Sequence, residues 1–426
     1  MENMPLDNNA FKESVINHEM MAMVNARLVL QSVRWHQPTY RAAVAKQTQL
    51  KRPTVTKIVN GLIDRGYLQE VACETDENAR MGRPPKLLQI NANLGHVLAI
   101  DLEPDHIRIG LTNLLLGMLS YKERLIDRFS EPMIVLKQIF QLCAEVMSDS
   151  QGSGILGVGV SLPGLIDRGQ GLLISSTNMP KWNNVPIKSI LEKELHLPVT
   201  VGRSFYLAAL HESWVNPITQ SDHTTLLISL RTGIGMSVIR NGEIHTGGSG
   251  LDGEIGHTVI DINGQVCECG NRGCLETFVS ASSICQRVKA LLDQGKCQAV
   301  RRIIDKGNPL TPELVYQLAK ENDPDCCDIV RDVGSYIGIA ISNMVNLFAA
   351  NEVIISGAID IALETMVESI KEQVYGRILS RYKDDLTIRL AGAKEKAPLM
   401  GAAVLVARNT FEMPELRDNS KANLAI

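Results

Sequence analysis

Four side chains in this sequence stand at a spacing that suits a metal ion. Within GEIGHTVIDINGQVCECGNRGCLE, residues 253–276, His257, Cys267, Cys269 and Cys274 follow the pattern H-x9-C-x-C-x4-C. One imidazole and three thiolates are a donor set that zinc takes in closed tetrahedral sites. Gly264, Gly270 and Gly273 between them offer the φ > 0 freedom needed to fold four ligands around one ion. Because all four positions are filled by protein, one structural Zn2+ per chain is expected; a catalytic zinc keeps its fourth position open. The alternative is a chance cluster of buried cysteines. Cys73, Cys143, Cys285, Cys297, Cys326 and Cys327 have no such context and read as core or surface thiols.

A second set of residues could read nucleic acid. A helix that begins at Arg52–Pro53 carries Val55, Ile58, Val59, Leu62 and Ile63 on one side, so Arg52, Thr54, Thr56, Lys57 and Asn60 point outward. Arg and Lys reach phosphates or guanine edges, and small hydroxyl side chains fit against base edges. The elements that would position this face are short. A helical pattern runs from Met20 to about Trp35 and is stopped by Pro38. Thr39 is placed to cap a second helix through Ala42–Ala45, a turn follows at Thr48–Leu50, and Gly66 ends the third helix. Tyr67–Val71 and Lys86–Ile90 alternate as two strands around a polar loop containing MGRPPK, where Arg80, Arg83 and Lys86 would lie against the DNA backbone or minor groove. Three helices and a two-stranded ribbon make a winged helix-turn-helix. Residues 20–90 hold eleven Lys and Arg against five Asp and Glu, whereas the whole chain has 43 against 47. A basic head on an acidic body is what a DNA-binding module joined to a globular domain shows. A solvated helical face or an adaptor bundle is the alternative.

The whole chain bounds these readings. Its 426 residues fit two or three domains. With 45% hydrophobic, 21% charged and 4% aromatic residues it is an ordinary globular composition, poor in aromatic stacking platforms. The most apolar stretch, 336–356, is interrupted by Ser342, Asn343, Asn346 and Asn351, so no membrane span is expected. The start, MENMPLDNNAFKES, has neither the basic region nor the apolar core of a secretion signal, and a cytoplasmic location with reduced cysteines is the expectation. From His96 onward strands alternate with helices: strands at Val97–Asp101, Ile107–Leu111, Tyr121–Ile126 and Ile155–Ser161, a helix at Ile134–Met147, then strands at Val199–Val201, Thr225–Ser229, Gly235–Ile239 and Glu352–Ile355, with long helices from Ser280. The expected fold class is α/β with mixed sheets in two halves that leave a cleft.

With these motifs assembled, the chain resembles the ROK family of repressors, open reading frames and sugar kinases, and within it the Mlc/NagC-type transcriptional repressors. The resemblance rests on LKRPTVTKIVNGLIDRGYLQE with GRPPKLLQIN in the head. In the body it rests on VGVSLPGLID (158–167), the segment Asn178–Trp182, RTGIG (231–235), the run GEIGH to CLE, IISGA (354–358) and GAA (401–403), in the family's order. It implies a two-lobed actin-like, hexokinase-like body with a sugar site in the cleft. The divisions it implies are a flexible arm at 1–19, the winged helix-turn-helix at 20–92, a small lobe at 93–205, a large lobe with the zinc site at 206–410, and a tail at 411–426. The effector residues that carry over from it by position are Glu254, His257 and Glu276, and Asn178 and Arg203 are further effector candidates in the same cleft. If His257 holds zinc through one nitrogen, its other nitrogen can face the ligand, tying the cleft to the ion.

The departures from the family's sugar kinases point to a regulator. The kinases carry DxGxT on the first strand, where this chain has Asp101-Leu102-Glu103-Pro104-Asp105; proline removes a backbone donor and the acids stand where phosphate charge would be. The kinases' Asn-Asp pair, whose Asp is the general base, aligns with Arg203-Ser204. The expectation is a non-enzymatic repressor of carbohydrate uptake or catabolism genes. It would bind operator DNA as a homodimer or homotetramer and answer to a sugar or phosphosugar, or to a sugar-uptake partner protein. Arg203 in the cleft would suit a phosphosugar or acidic sugar; alternatively it pairs with Glu254, Glu276 or another acid, or faces solvent. The competing class is an ATP-dependent sugar kinase with an added N-terminal domain.

Overall fold

A computed structural model describes residues 18–72, 86–150, 154–217, 222–231, 233–247, 252–357, 363–393 and 396–412. The arm up to residue 17, the wing tip with Arg80 and Arg83, Cys73, Thr232 and the tail from 413 lie outside the described residues. The chain divides into two compact units, one of residues 1–95 with 407–426 and the other of residues 96–406.

In the first unit, α1 (His18–His36), α2 (Arg41–Thr48) and α3 (Arg52–Asp64) are followed by β1 (Leu68–Ala72) and β2 (Lys86–Ile90), which pair antiparallel. Val29, Leu30 and Val33 of α1, Val44 of α2, and Val55, Val59 and Leu62 of α3 are fully buried. The apolar residues of α3 recur at helical spacing, so one stripe enters this small core and the other face stays wet. Gln49 in the left-handed region turns α2 into α3, and Pro53 sits in the first turn of α3, where its missing N–H costs nothing. Thr39 is not the cap of α2. Its N–H and C=O exchange hydrogen bonds with Leu88 of β2 at 3.0 and 2.7 Å, and Tyr40 takes the N-cap position without a side-chain bond.

The second unit opens with β3 (His96–Leu102), β4 (His106–Asn113), β5 (Met118–Leu125), α4 (Pro132–Met147), β6 (Ile155–Leu162), the hairpin β7 (Leu165–Asp167) and β8 (Leu172–Ser175), α5 (Ile187–Leu195) and β9 (Val199–Arg203). The first lobe's sheet has the order β5-β4-β3-β6-β9. After α6 (Ser204–Val215) come β10 (Thr224–Leu230), β11 (Ile234–Arg240) and β12 (Glu243–His245), then α7 (Glu276–Val279), α8 (Ala281–Asp293), α9 (Gln298–Ile304), α10 (Pro312–Lys320) and α11 (Pro324–Phe348). The chain closes with β13 (Glu352–Gly357), α12 (Leu363–Arg377), β14 (Thr387–Leu390) and α13 (Ala397–Glu412). The second sheet has the order β12-β11-β10-β13-β14.

Both sheets follow one plan. A central strand, β3 or β10, is extended on one side by two antiparallel neighbours and on the other by two parallel strands reached through helical crossovers. The central strands are buried along nearly their whole length, with apolar runs Val97–Ile100 and Leu226–Ile228 at their centres, as strands covered on both faces require. Core residues of β3, β6 and α4 form one cluster with Trp182, while β10, β13, α8, α11 and α12 form another. No helix among the described residues is long and apolar enough to cross a membrane.

Candidate functional site

Asn178 is set in place by apolar anchors. Met179 and Trp182 are fully buried in the first lobe's core, and turns from Ser176 to Met179 and from Met179 to Trp182 hold the segment. Asn178, directly before Met179, stays part-exposed on the rim of a cavity of about 300 Å3. Arg203 ends β9 directly before α6, and its side chain is almost wholly buried. Its guanidinium pairs with the Glu254 carboxylate, donates to the Asp252 carbonyl oxygen at 3.0 Å and lies over the Phe205 ring. The cavity wall brings together Asn178, Arg203, Glu254, His257 and Glu276. The guanidinium is therefore committed to Glu254, the local-acid alternative that the sequence leaves open.

His257 links this cavity to the cysteines. Its Nε2 lies 4.0 Å from Glu254 Oε2, whereas Nδ1 lies 3.7 Å from Cys267 Sγ and 3.5 Å from Glu276 Oε2. Cys269 and Cys274 sulfurs are 3.8 Å apart, and one donor atom from each of His257, Cys267, Cys269 and Cys274 lies within 4.8 Å of the other three. A tetrahedral zinc site with Zn–S near 2.3 Å has edges of about 3.8 Å between sulfurs, so the cluster fits a metal ion of that size. The loop reaches this shape through glycine. Gly270 and Gly273 have positive φ, and a Cβ on Gly273 would stand 1.6 Å from the Asp261 carbonyl oxygen. Gly264 serves differently from expectation: its φ is not positive, but a Cβ there would meet the Gly273 Cα at 2.7 Å.

At the strand that would receive a phosphate, the structure revises the sequence reading. Arg231, which follows β10, donates to Asp101 at 3.0 Å and pairs with Glu103; Arg108 lies 3.6 Å from Asp101 and 3.4 Å from Glu103. Burial pushes the Glu103 carboxyl above the usual carboxylate range, with Arg231 opposing and Asp101 reinforcing that shift. Burial also works against the charge of Arg231, but Asp101 and Glu103 outweigh it and raise its pKa. Asp101 and Glu103 are thus neutralised by two guanidiniums and do not act as free repelling charges. Arg231 uses Nη2 and Nε in these pairs and keeps Nη1 buried without a hydrogen-bond partner among the described residues. Arg231 opens the RTGIG segment, but nothing in that motif names its partners, and Arg108 lies in no motif; only the sheet register Asp101↔Arg108 could have paired one of them in advance.

On α3, Arg52, Thr54, Thr56, Lys57 and Asn60 are all exposed. Thr56 Oγ1 donates back to the Arg52 carbonyl oxygen, and Asn60 accepts from Arg41 of α2 at 3.1 Å. Arg41, which the sequence reading missed, thus shares this face, and its other arm pairs with Glu70 at 2.6 Å. Lys86, half-exposed at the start of β2, also pairs with Glu70.

The ROK family pattern matches residues 97–409, nearly the whole second unit. The chain belongs to the ROK family. A xylose repressor of Caldicellulosiruptor bescii is 30% identical over 94% of this chain and 99% of its own length. A glucokinase of Halalkalibacterium halodurans is 33% identical but covers only 61% of this chain and 79% of its own. Among solved structures, a ROK transcriptional regulator described as a homologue of the E. coli MLC protein superposes with a TM-score of 0.77 at 27% identity, covering 92% of this chain and 97% of its own. The kinase likeness is therefore confined to the ROK body, and the repressor likeness runs through the head as well. In this ROK chain Ser204 lines the cavity beside Arg203, and among the described residues nothing accepts a hydrogen bond from its hydroxyl.

Proposed function

We propose that this protein is a DNA-binding transcriptional repressor of carbohydrate uptake or catabolism genes, with α3 as the groove-reading element and the cleft cavity as the sugar sensor. The observation that carries it is the end-to-end match to a repressor of one chain that joins a basic winged head to a ROK body. In this reading Arg52, Lys57 and Arg83 supply phosphate or guanine contacts, and Thr54, Thr56 and Asn60 meet base edges. A homodimer or homotetramer would present paired heads to a pseudo-palindromic operator.

Asn178, Glu254, His257 and Glu276 form the hydrogen-bonding set for a sugar, and Arg203 holds Glu254 in position. Pairing of both cavity guanidiniums with carboxylates supports an uncharged sugar over a phosphosugar, because a phosphate there would compete with internal carboxylates for the same two cations. A sugar-uptake partner protein is the other source of signal that the family resemblance implies. The ion held by His257 and the three cysteines is zinc in a structural role: it would fix the loop that carries His257 toward the cavity, with no open position for catalysis. Phosphoryl transfer is not part of this function. Ser204 makes no hydrogen bond to a carboxylate or imidazole among the described residues, and Pro104 removes a backbone donor where a phosphate loop needs one.

The test is to map the DNA bound by the protein in cells with and without candidate sugars, and to assay sugar-dependent ATP turnover. Binding upstream of sugar genes that a sugar relieves is expected, with no turnover. Sugar-dependent turnover, or the absence of any specific DNA site, would overturn the reading.

A further inference from the structure

A second cavity of about 360 Å3 adjoins the first and shares Asn178 and Glu276 with it. Its far wall is built by the start of α8, Ser280 to Ser283 with Gln286, and its near wall includes Gln265, Val266, Cys267 and Glu268 of the metal loop. We infer that the two cavities form one binding site for an uncharged disaccharide or related glycoside, one ring in each. The inference rests on the cleft being the sugar sensor.

The chemistry of the second cavity selects that class. Ser280, Ser282 and Ser283 place three hydroxyls around the helix start, and Ser280 Oγ lies 3.0 and 2.8 Å from the other two. Hydroxyls can rotate to donate or accept, which matches a polyol whose groups do both. Asp105, Asp127, Glu268 and Glu276 face Arg128 as the one cation among the described residues of this lining, so a phosphate or uronate would meet excess negative charge. The first cavity alone lies at the small end of ligand sites, and the joined pair falls in the middle of the range of roughly 300–1,000 Å3. Asn178 and Glu276 line both spaces, so they are the side chains that a ligand anchored on Glu254 and His257 would pass to reach the second.

Calorimetric titration of the full-length, metal-loaded protein with glucose, xylose, cellobiose and xylobiose tests this. One disaccharide is expected to bind at least about tenfold tighter than its monosaccharide. Ser282→Trp, at an exposed position of α8, should abolish that gain and leave monosaccharide binding and the melting temperature unchanged. A monosaccharide that binds as tightly as its disaccharide, with Ser282→Trp silent for both, would overturn the two-ring site and leave the sugar sensor standing. Failure of all four sugars, with cellular DNA occupancy unmoved by any of them, would remove both.

Discussion

Arg231 Nη2 stands 3.0 Å from Asp101 Oδ2, joining the end of a strand in the second sheet to the central strand of the first. Asp101 is fully buried and the Arg231 side chain nearly so. With Glu103 and Arg108 they form a four-charge cluster between the lobes, at the position where sugar kinases of the family carry their phosphate motif. Breaking one side of a buried pair leaves an uncompensated charge. Arg231→Met is therefore expected to lower unfolding free energy by about 3–5 kcal/mol, read from urea denaturation. Adding Asp101→Asn should recover part of the loss, whereas an unchanged midpoint in the single variant would contradict a structural role.

DNA binding should follow the exposed face of α3. Arg52→Ala and Lys57→Ala are each expected to weaken operator binding, and loss of a phosphate contact should reduce the slope of log K against log salt by about 1. Fluorescence anisotropy over a salt series measures both effects. Thr54→Ala should instead relax sequence preference while leaving the slope unchanged.

Removing the metal should loosen the sensor. One zinc per chain by elemental analysis is expected, lost in Cys274→Ser, with a lower melting temperature and weaker sugar binding. A structural site contributes folding free energy directly, so a chelator that strips zinc without moving the melting temperature would show that the cluster is not structural.

Arg203→Met tests the assignment of that guanidinium. Because it pairs with Glu254, its removal should weaken binding of a neutral sugar by freeing the carboxylate that a sugar hydroxyl needs held in place. Wild-type protein should show no preference for a sugar phosphate over the parent sugar in calorimetry. Tighter binding of the phosphate, lost in Arg203→Met, would reverse the argument for an uncharged effector.

His211, buried on α6, carries a pH signature. Burial holds its pKa below the ordinary histidine value, and neighbouring Glu212 only partly opposes that. The folded state therefore resists the proton that the unfolded state accepts. Stability is full above about pH 6.5 and is lost as pH falls from there through the depressed folded value. Thermal melts between about pH 7.5 and pH 5 should show a steeper fall for the wild type than for His211→Gln; parallel curves would exclude His211 as the cause.

Much of this was legible in the sequence because it depends on local order. Periodicity in α3 separates Val55, Val59 and Leu62 from the exposed Arg52, Thr54, Thr56, Lys57 and Asn60, since a helix fixes which residues share a face. The four metal donors are close in sequence, and glycines between them limit how the loop can fold. The short hairpin β7–β8, the edge strands β12 and β14 and the cap of α2 were not legible. Their few residues carry little periodic signal, and Thr39 is claimed by pairing with Leu88, far along the chain.

Sequence alone determined which chemical groups this protein owns: a basic, hydroxyl-bearing helix, a cluster of one histidine and three cysteines, and a body without its relatives' phosphate motif or base. Only the tertiary structure decided how the charges are spent. Arg203 meets Glu254 across 51 positions and Arg231 meets Asp101 across 130. Long-range ion pairing depends on where separate strands end in space, which no local pattern encodes.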